Sequence, residues 1–279
     1  MLLPVLNAAA YRFVPVVDPA GLREHLFASA EQAGLKGTLL IAGEGINLCL
    51  AGADAALRDW LVQLQSDARF ADLDVKTSTS ASVPFKRLLV KVKREIIRMD
   101  HPLVRPHDGR AASVDAPTLA RWLDAGVDDG GRPVVLLDTR NGFEVDAGRF
   151  RGAIDWRLTR FGAFPQALHD HAGELAGKTV VSYCTGGIRC EKAALLMNQQ
   201  DGPNQPGRVL QLDGGILRYL EQVGSRHFDG HCFVFDARET LDATLAPTPL
   251  GHESTAPRSG VSTYKSTPAT ATATASAPD

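Results

Sequence analysis

The segment Thr179-Val180-Val181-Ser182-Tyr183-Cys184-Thr185-Gly186-Gly187-Ile188-Arg189-Cys190-Glu191-Lys192-Ala193-Ala194-Leu195-Leu196-Met197 decides the architecture of this chain. An apolar run, a short glycine-bearing loop and a helix-forming run follow one another directly, which reads as strand, tight turn and helix wrapped around one thiol. Backbone N–H groups of such a loop converge with the positive end of the following helix, so an anion at Cys184 is favoured, whether thiolate or persulfide. Arg189 adds a permanent charge, and cysteines in surroundings of this kind have pKa values lowered from about 8.5 to roughly 3.5–7.5. A buried structural cysteine at the end of a core strand is the plainer alternative. Two adjacent glycines and an arginine are hard to explain that way.

Loop length narrows the chemistry. Cysteine phosphatases share the layout, but five residues separate their cysteine and arginine, wide enough for a phosphate dianion. Here only four residues lie between Cys184 and Arg189. The tighter cradle of Thr185, Gly186, Gly187, Ile188 and Arg189 suits a sulfane sulfur or a planar electrophile better, and the loop resembles the rhodanese active-site loop.

The pattern repeats outward from this unit. Expected elements are a helix at 116–125, the apolar strand 134–137, a helix near 164–175, the strand 179–183, a helix to about 200, the strand 208–212 and a helix at 216–223. Alternating strands and helices imply a parallel sheet wrapped by helices, with ligands bound outside the carboxyl ends of the strands, where Cys184 lies. Upstream, strands at 11–17, 37–42, 46–50 and 73–78 enclose helices at 19–33 and 54–65. This is the βαββαβ order of a ferredoxin-like, acylphosphatase-like α+β domain. Asp18 and Pro19 open its first helix and Gly34 stops it. A further strand is expected at 88–97. The chain is thus divided into an N-terminal domain, residues 1–98, a proline-containing connection, 99–112, and a rhodanese-like parallel-sheet α/β domain, 113–244. Residues 245–279 are dominated by Ala, Thr, Ser and Pro and read as a disordered tail.

The 279 residues are 44% hydrophobic and 22% charged, with a formal net charge of −2, so any nucleic-acid partner has to be met by a local patch. The four cysteines match neither a zinc ribbon nor a small disulfide scaffold, and no metal site is expected. A reduced cytoplasmic setting is the simplest reading. The N-terminus has no basic region of a signal peptide, and no run approaches a membrane span.

Several residues compete between functional and structural roles. Asp138 closes the strand 134–137 beside the loop and either orients Arg140 and the loop or simply ion-pairs at a strand end. Glu144 is at most a supporting residue. Cys190, in the first helical turn, either resolves Cys184 by taking part in a disulfide or receiving its sulfur, or packs under the loop. Asp213-Gly214-Gly215 suits close backbone approach as well as a plain helix entry. Lys86, Arg87, Lys91, Lys93 and Arg94 form a dense basic stretch suited to phosphates, or to protecting an edge strand. Arg149, Arg151, Arg157 and Arg160, with Trp156 and Phe161 interleaved, suit an unstacked RNA base, with Arg157 and Arg160 as the RNA-binding candidates. Gly43-Glu44-Gly45-Ile46-Asn47 reads as a hairpin turn whose polar tip contacts substrate or serves only the turn.

Taken together, Cys184 to Ala193, Asp138 to Asn141, Gly43 to Asn47, Leu212 to Ile216 and Cys232-Phe233-Val234-Phe235-Asp236 resemble the rhodanese-domain tRNA uridine hydroxylases over roughly residues 10–240. The resemblance implies oxygen-dependent conversion of the wobble uridine of certain tRNAs to 5-hydroxyuridine. Cys184 would be its essential residue, the tRNA anticodon loop its partner and molecular oxygen its co-substrate. No other cofactor, no membrane and no obligate protein partner are evident. Many members of that family continue into a cysteine-rich segment, where this chain has a cysteine-free tail. A sulfurtransferase working through a Cys184 persulfide and a rhodanese-like binding module remain as alternatives.

Overall fold

A computed structural model describes residues 5–248 of the chain, and the segment 249–279 expected to be disordered lies outside them. The N-terminal half comprises β1 (Val5–Phe13), α1 (Pro19–Gln32), β2 (Lys36–Ala42), β3 (Gly45–Ala53), α2 (Asp54–Gln65), β4 (Lys76–Ser80) and β5 (Leu88–Val92). They build a five-stranded sheet in the order β4-β1-β3-β2-β5, antiparallel except for the β2–β5 edge pair. Asp18 caps α1 by accepting from the Gly21 amide at 2.9 Å, with Pro19 in the first turn, as expected of that pair.

Leu6, Ala8 and Ala10 of β1 face the two helices together with Ile46, Leu48 and Leu50 of β3, and all six are buried. Asn7, Ala9, Tyr11, Asn47 and Cys49 alternate with them and therefore lie on the opposite face. The helices cover one side of this sheet. The other side is left for the C-terminal half.

Several strand ends differ from expectation, among them that of β1, which stops at Phe13 rather than at residue 17. β1 begins at Val5 rather than Tyr11, because alanines carry its inward face and their weak strand preference hides the alternation. β4 begins at Lys76 rather than Leu73, since Leu73 turns into the core with its amide on the Phe70 carbonyl. β5 stops at Val92 rather than near residue 97. Beyond it the Ile96 and Met99 amides donate to the Glu44 and Glu95 carboxylates at 2.8 and 3.0 Å instead of to a strand.

Residues 99–112 carry no helix and no strand, and Met99 and Ala111 within them are buried in the second half's core. That half runs β6 (Ser113–Val114), α3 (Ala116–Ala125), β7 (Val134–Asp138), α4 (Gly142–Ala147), β8 (Gly148–Phe150), β9 (Ile154–Asp155), α5 (Phe164–His171), β10 (Thr179–Tyr183), α6 (Ile188–Met197), β11 (Arg208–Leu212) and α7 (Gly215–Val223). Short strands β12 (Phe228–Gly230), β13 (Cys232–Phe233) and β14 (Thr240–Leu241) follow. The principal sheet is parallel throughout, in the order β6-β11-β10-β7-β9. Leu136 and Val181 face α3 and α7, whereas Leu137 and Val180 face α5 and α6. Both faces are covered, which is why these strands are continuously apolar. The expected helix at 164–175 ends at His171 and finishes as a tighter 3-10 turn, Ala172–Leu175. Leu245 packs on the core and the Thr248 amide donates to the Thr240 carbonyl at 3.0 Å, so order extends into the stretch read as tail.

The halves are joined by charge. Lys192 of α6, its side chain 2% exposed, donates to Glu44 at 2.9 Å, to Glu95 at 2.6 Å and to the Ile97 carbonyl at 3.0 Å. Next to it Glu191 accepts from the Tyr11 hydroxyl at 3.0 Å and pairs with Arg110 at 3.4 Å. Arg218 with Asp74, and Arg238 with Ser78, extend the contact. The turn at Gly43-Glu44-Gly45 is thus a docking element and its carboxylate is committed to Lys192.

Lys192→Met leaves two mostly buried carboxylates facing each other without a cation. Breaking a buried pair in this way costs about 3–5 kcal/mol. Urea unfolding should show a loss of that order, and a loss below about 1 kcal/mol would mean that the pair contributes no net stability.

Candidate active site

β10 delivers Cys184 to the carboxyl edge of the parallel sheet, and α6 starts four residues later with Gly187 as its N-cap at φ 103°. The Gly187 amide donates to the Cys184 sulfur at 3.1 Å, and the Cys190 thiol points at the same sulfur at 3.3 Å. Cys184 is 1% exposed and Cys190 is fully buried. Burial alone would push the Cys184 thiol up. It is outweighed by the Cys190 thiol, the Arg189 charge and the Arg189 and Cys190 amides, which bring its pKa down to about 5. Cys190 is driven in the opposite direction, first by burial and then by the anion beside it. The pair therefore holds one thiolate and one thiol near neutral pH.

Arg189 supplies charge but does not offer its fork to a ligand. Its two terminal nitrogens lie 2.6 and 2.7 Å from the carboxylate oxygens of Glu144, which is wholly buried and also accepts from the Asn141 amide at 3.0 Å. Glu144, read from sequence as at most supporting, is the direct partner of the loop arginine. Asp138 and Arg140 support it from behind. Their carboxylate and guanidinium are paired at 2.6 Å with no exposure, and Arg140 donates onward to the carbonyls of Glu144 and Gly148 at 3.3 and 2.7 Å. A relay of buried ion pairs thus fixes α4, which fixes Glu144, which fixes the loop.

The other side of the loop is held by α7. Amides of Ile216 and Leu217 donate to the carbonyls of Cys184 and Thr185 at 2.9 and 3.0 Å. Gly215 sits at φ +65°, and a Cβ there would lie 2.4 Å from the Cys184 carbonyl oxygen. The Gly214-Gly215 pair is therefore explained by close backbone approach to the loop as well as by helix entry. Thr185 is anchored through its hydroxyl to the Phe233 carbonyl at 3.3 Å.

A cavity of about 660 Å³ opens above Cys184, between the uncovered face of the N-terminal sheet and the rhodanese-like edge. Thr185, Gly186, Ile188 and Arg189 line it from below, and Asn47, Cys49 and Lys76 line it from above. Cys49 is a second thiol on the cavity wall, and it is exposed. Phe235 also lines the cavity, stacked edge-on with Phe143 and Phe233, while being 63% exposed itself. In the sequence Phe233-Val234-Phe235 stands out only through the family resemblance, and the aromatic corner it forms with Phe143 is seen first in the fold.

The basic candidates are divided. Arg160, with Arg98, lines the cavity. Lys86, Arg87, Lys91, Lys93 and Arg94 are exposed along and beside the edge strand β5, outside the cavity wall. Arg94 is paired with Asp100, whereas Lys86, Arg87, Lys91 and Lys93 make no ion pair among the described residues. Arg157 is taken by Asp146 and Asp155 at 2.6 and 3.2 Å and does not reach the cavity. Trp156 stacks on His171 and does not line the cavity, whereas Phe161, buried at 5% exposure, lies in its wall beside Arg160. All four cysteines are free thiols, and no group of three metal-ligating side chains exists among the described residues. No helix among them is long and apolar enough to cross a membrane.

Comparison with known proteins agrees with both halves. Residues 5–96 match the UPF0176 acylphosphatase like domain and residues 119–222 the rhodanese-like domain. A tRNA uridine(34) hydroxylase of Bordetella pertussis is 60% identical over 87% of this chain and 98% of its own length. Its counterpart in Variovorax paradoxus is 59% identical over 87% of this chain and 90% of its own length. One from Ralstonia nicotianae is 54% identical over 88% and 86%.

Two outcomes follow from the loop. Alkylation of Cys184 should rise with pH through an inflection near 5, because the thiolate forms above its pKa, and mass spectrometry of the modified peptide reads the rate. An inflection above pH 8 would refute the arrangement of amides and charge described here. Gly215→Ala, which combines a positive φ with backbone overlap, should lower stability by about 1–3 kcal/mol and raise the Cys184 inflection.

Proposed function

We infer the activity from the family to which this chain belongs, the tRNA uridine(34) hydroxylases: the protein is an enzyme that hydroxylates the wobble uridine of tRNA on a rhodanese-like scaffold. The observation that carries this is the 60% identity sustained across both domains and across 98% of the Bordetella relative.

Our reading of the site gives each part a task. Cys184 is the nucleophile, held as a thiolate that adds to C6 of the uracil ring, and C5 then gains the electron density needed to react with dioxygen, the proposed co-substrate. Charge moves from sulfur to the ring carbonyl and back. The loop amides, the start of α6 and Arg189 supply a fixed positive field on that path, which needs no reorganisation during reaction. The anticodon loop supplies the uridine flipped out of its stack. Exposed Phe143 and Phe235 offer rings to neighbouring bases, and Lys86, Arg87, Lys91 and Lys93 offer charge to the phosphates.

Sulfur transfer is the second reading, favoured by the six-residue loop and its low thiol pKa. It requires turnover of thiosulfate or a persulfide donor without RNA, with Cys184 gaining the mass of one sulfur atom.

The test is complementation. In a strain lacking the gene, wild-type protein should restore 5-hydroxyuridine in tRNA as read by nucleoside mass spectrometry, and Cys184→Ala should leave it at background. Full restoration by Cys184→Ala would remove the cysteine from the reaction, and no loss in the deletion strain would remove the hydroxylase reading.

A further inference from the structure

Replacing C5–H by C5–OH with an oxygen atom from dioxygen leaves a second oxygen atom to be reduced to water, which takes two electrons and two protons. Cys184 and Cys190 are the two thiols in contact, sulfur to sulfur at 3.3 Å. One faces the cavity and the other is fully enclosed behind it. Cys190 therefore reaches the reaction only through the sulfur of Cys184. Neither of the other two cysteines has a hydrogen bond to the Cys184 sulfur among the described residues: Cys49 lines the opposite wall of the cavity on the N-terminal sheet, and Cys232 directs its thiol at the Phe233 carbonyl at 3.8 Å.

We propose that Cys190 is the resolving thiol of the hydroxylation, and that the Cys184–Cys190 pair supplies the two electrons by closing one disulfide for each uridine converted. The inference rests on the hydroxylase reading with dioxygen as oxygen donor. After Cys184 has bonded to C6, dioxygen adds at C5 and a proton completes the C5 hydroperoxide. The distal oxygen passes to the adjacent thioether sulfur, breaking the O–O bond and leaving C5–OH and a sulfoxide at Cys184. The sulfoxide oxygen then takes the C5 proton as the C6–S bond breaks, which restores the C5=C6 double bond of 5-hydroxyuridine and leaves a sulfenic acid on Cys184. Cys190 attacks that sulfur, the disulfide forms and water leaves. The sum is uridine, dioxygen and two thiols giving 5-hydroxyuridine, a disulfide and water. An external thiol reductant returns the pair to the dithiol before the next turnover.

This placement has a chemical logic. A sulfenic acid at a cavity wall is exposed to further, irreversible oxidation. A thiol already 3.3 Å from the sulfur has only to close to the roughly 2.05 Å of a disulfide to intercept it, and its enclosure keeps it from competing with Cys184 for the base.

The experiment uses the full chain, reduced, freed of reductant without air, and mixed with tRNA from the deletion strain in aerated buffer. Expected are about one 5-hydroxyuridine per protein and an equal amount of a peptide linking Cys184 to Cys190, with continued turnover once dithiothreitol is added. Cys190→Ser should stop at a Cys184 sulfenic acid that dimedone traps. Formation of 5-hydroxyuridine with all four thiols still free, or without sulfenic acid in Cys190→Ser, overturns the resolving role while leaving the hydroxylase reading intact. Disulfide forming equally fast without tRNA also overturns it. Absence of 5-hydroxyuridine in every arm defeats the underlying reading itself.

Discussion

A buried charge has to be paired, and this constraint organises the molecule around the first turn of α6. Arg189, Glu191 and Lys192 are nearly consecutive and all are buried, a composition that would be untenable on an ordinary core helix. Each finds its partner on a different element. Arg189 takes Glu144 of α4, Glu191 takes Tyr11 of β1 and Arg110, and Lys192 takes Glu44 and Glu95. The helix that gives Cys184 its electrostatic setting is therefore also the bolt between the domains. Docking of the N-terminal sheet and positioning of the thiol cannot be varied independently.

The thiol itself is a contest between two large effects. Burial disfavours the thiolate, yet the arrangement places an amide, a second thiol and a guanidinium charge around one sulfur, and these prevail. The guanidinium acts only as charge, since Glu144 occupies its hydrogen-bonding fork. That pairing lowers the field Arg189 contributes but fixes its position, and a fixed dipole or charge is what stabilises a transient anion. A mobile arginine would have to be ordered at each turnover.

Much of this was legible in the chain because it is local. The loop, its strand and its helix lie in one continuous stretch, and the βαββαβ alternation is carried by periodicity with Asp18, Pro19 and Gly34 as punctuation. What escaped was non-local or very short. Glu44 and Lys192 are separated by 148 residues, so the turn at Gly43-Glu44-Gly45 reads as a hairpin whose tip contacts substrate or serves only the turn, and its docking carboxylate is not visible. Glu144 looked secondary because its partner Arg189 is 45 residues away. The strands β6, β8, β9, β12, β13 and β14 have two or three residues each, too few to show a period of two. The basic residues were visible as composition, but only the fold separates Arg160, at the cavity, from Arg157, closed off by two aspartates.

The size of the cavity decides how an RNA can use it. About 660 Å³ is within the range of pockets that enclose a single small ligand, far too small for a folded loop. Under the proposed reading, one nucleotide enters and the remainder stays outside, so the base has to leave its stack, at a cost of a few kcal/mol. Stacking on an aromatic side chain returns about 1–3 kcal/mol per base. Phe143 and Phe235, 51% and 63% exposed and in contact with each other at the cavity, are placed to recover that loss from the bases flanking the gap. On the same reading, Lys91 of β5 and Lys86, Arg87 and Lys93 beside it, all outside the cavity wall, act on the backbone and contribute affinity without choosing the base. On that same reading, selection of the uridine falls to the cavity floor, where the base has to present C6 to a sulfur set by the Gly187 amide and the Cys190 thiol of α6.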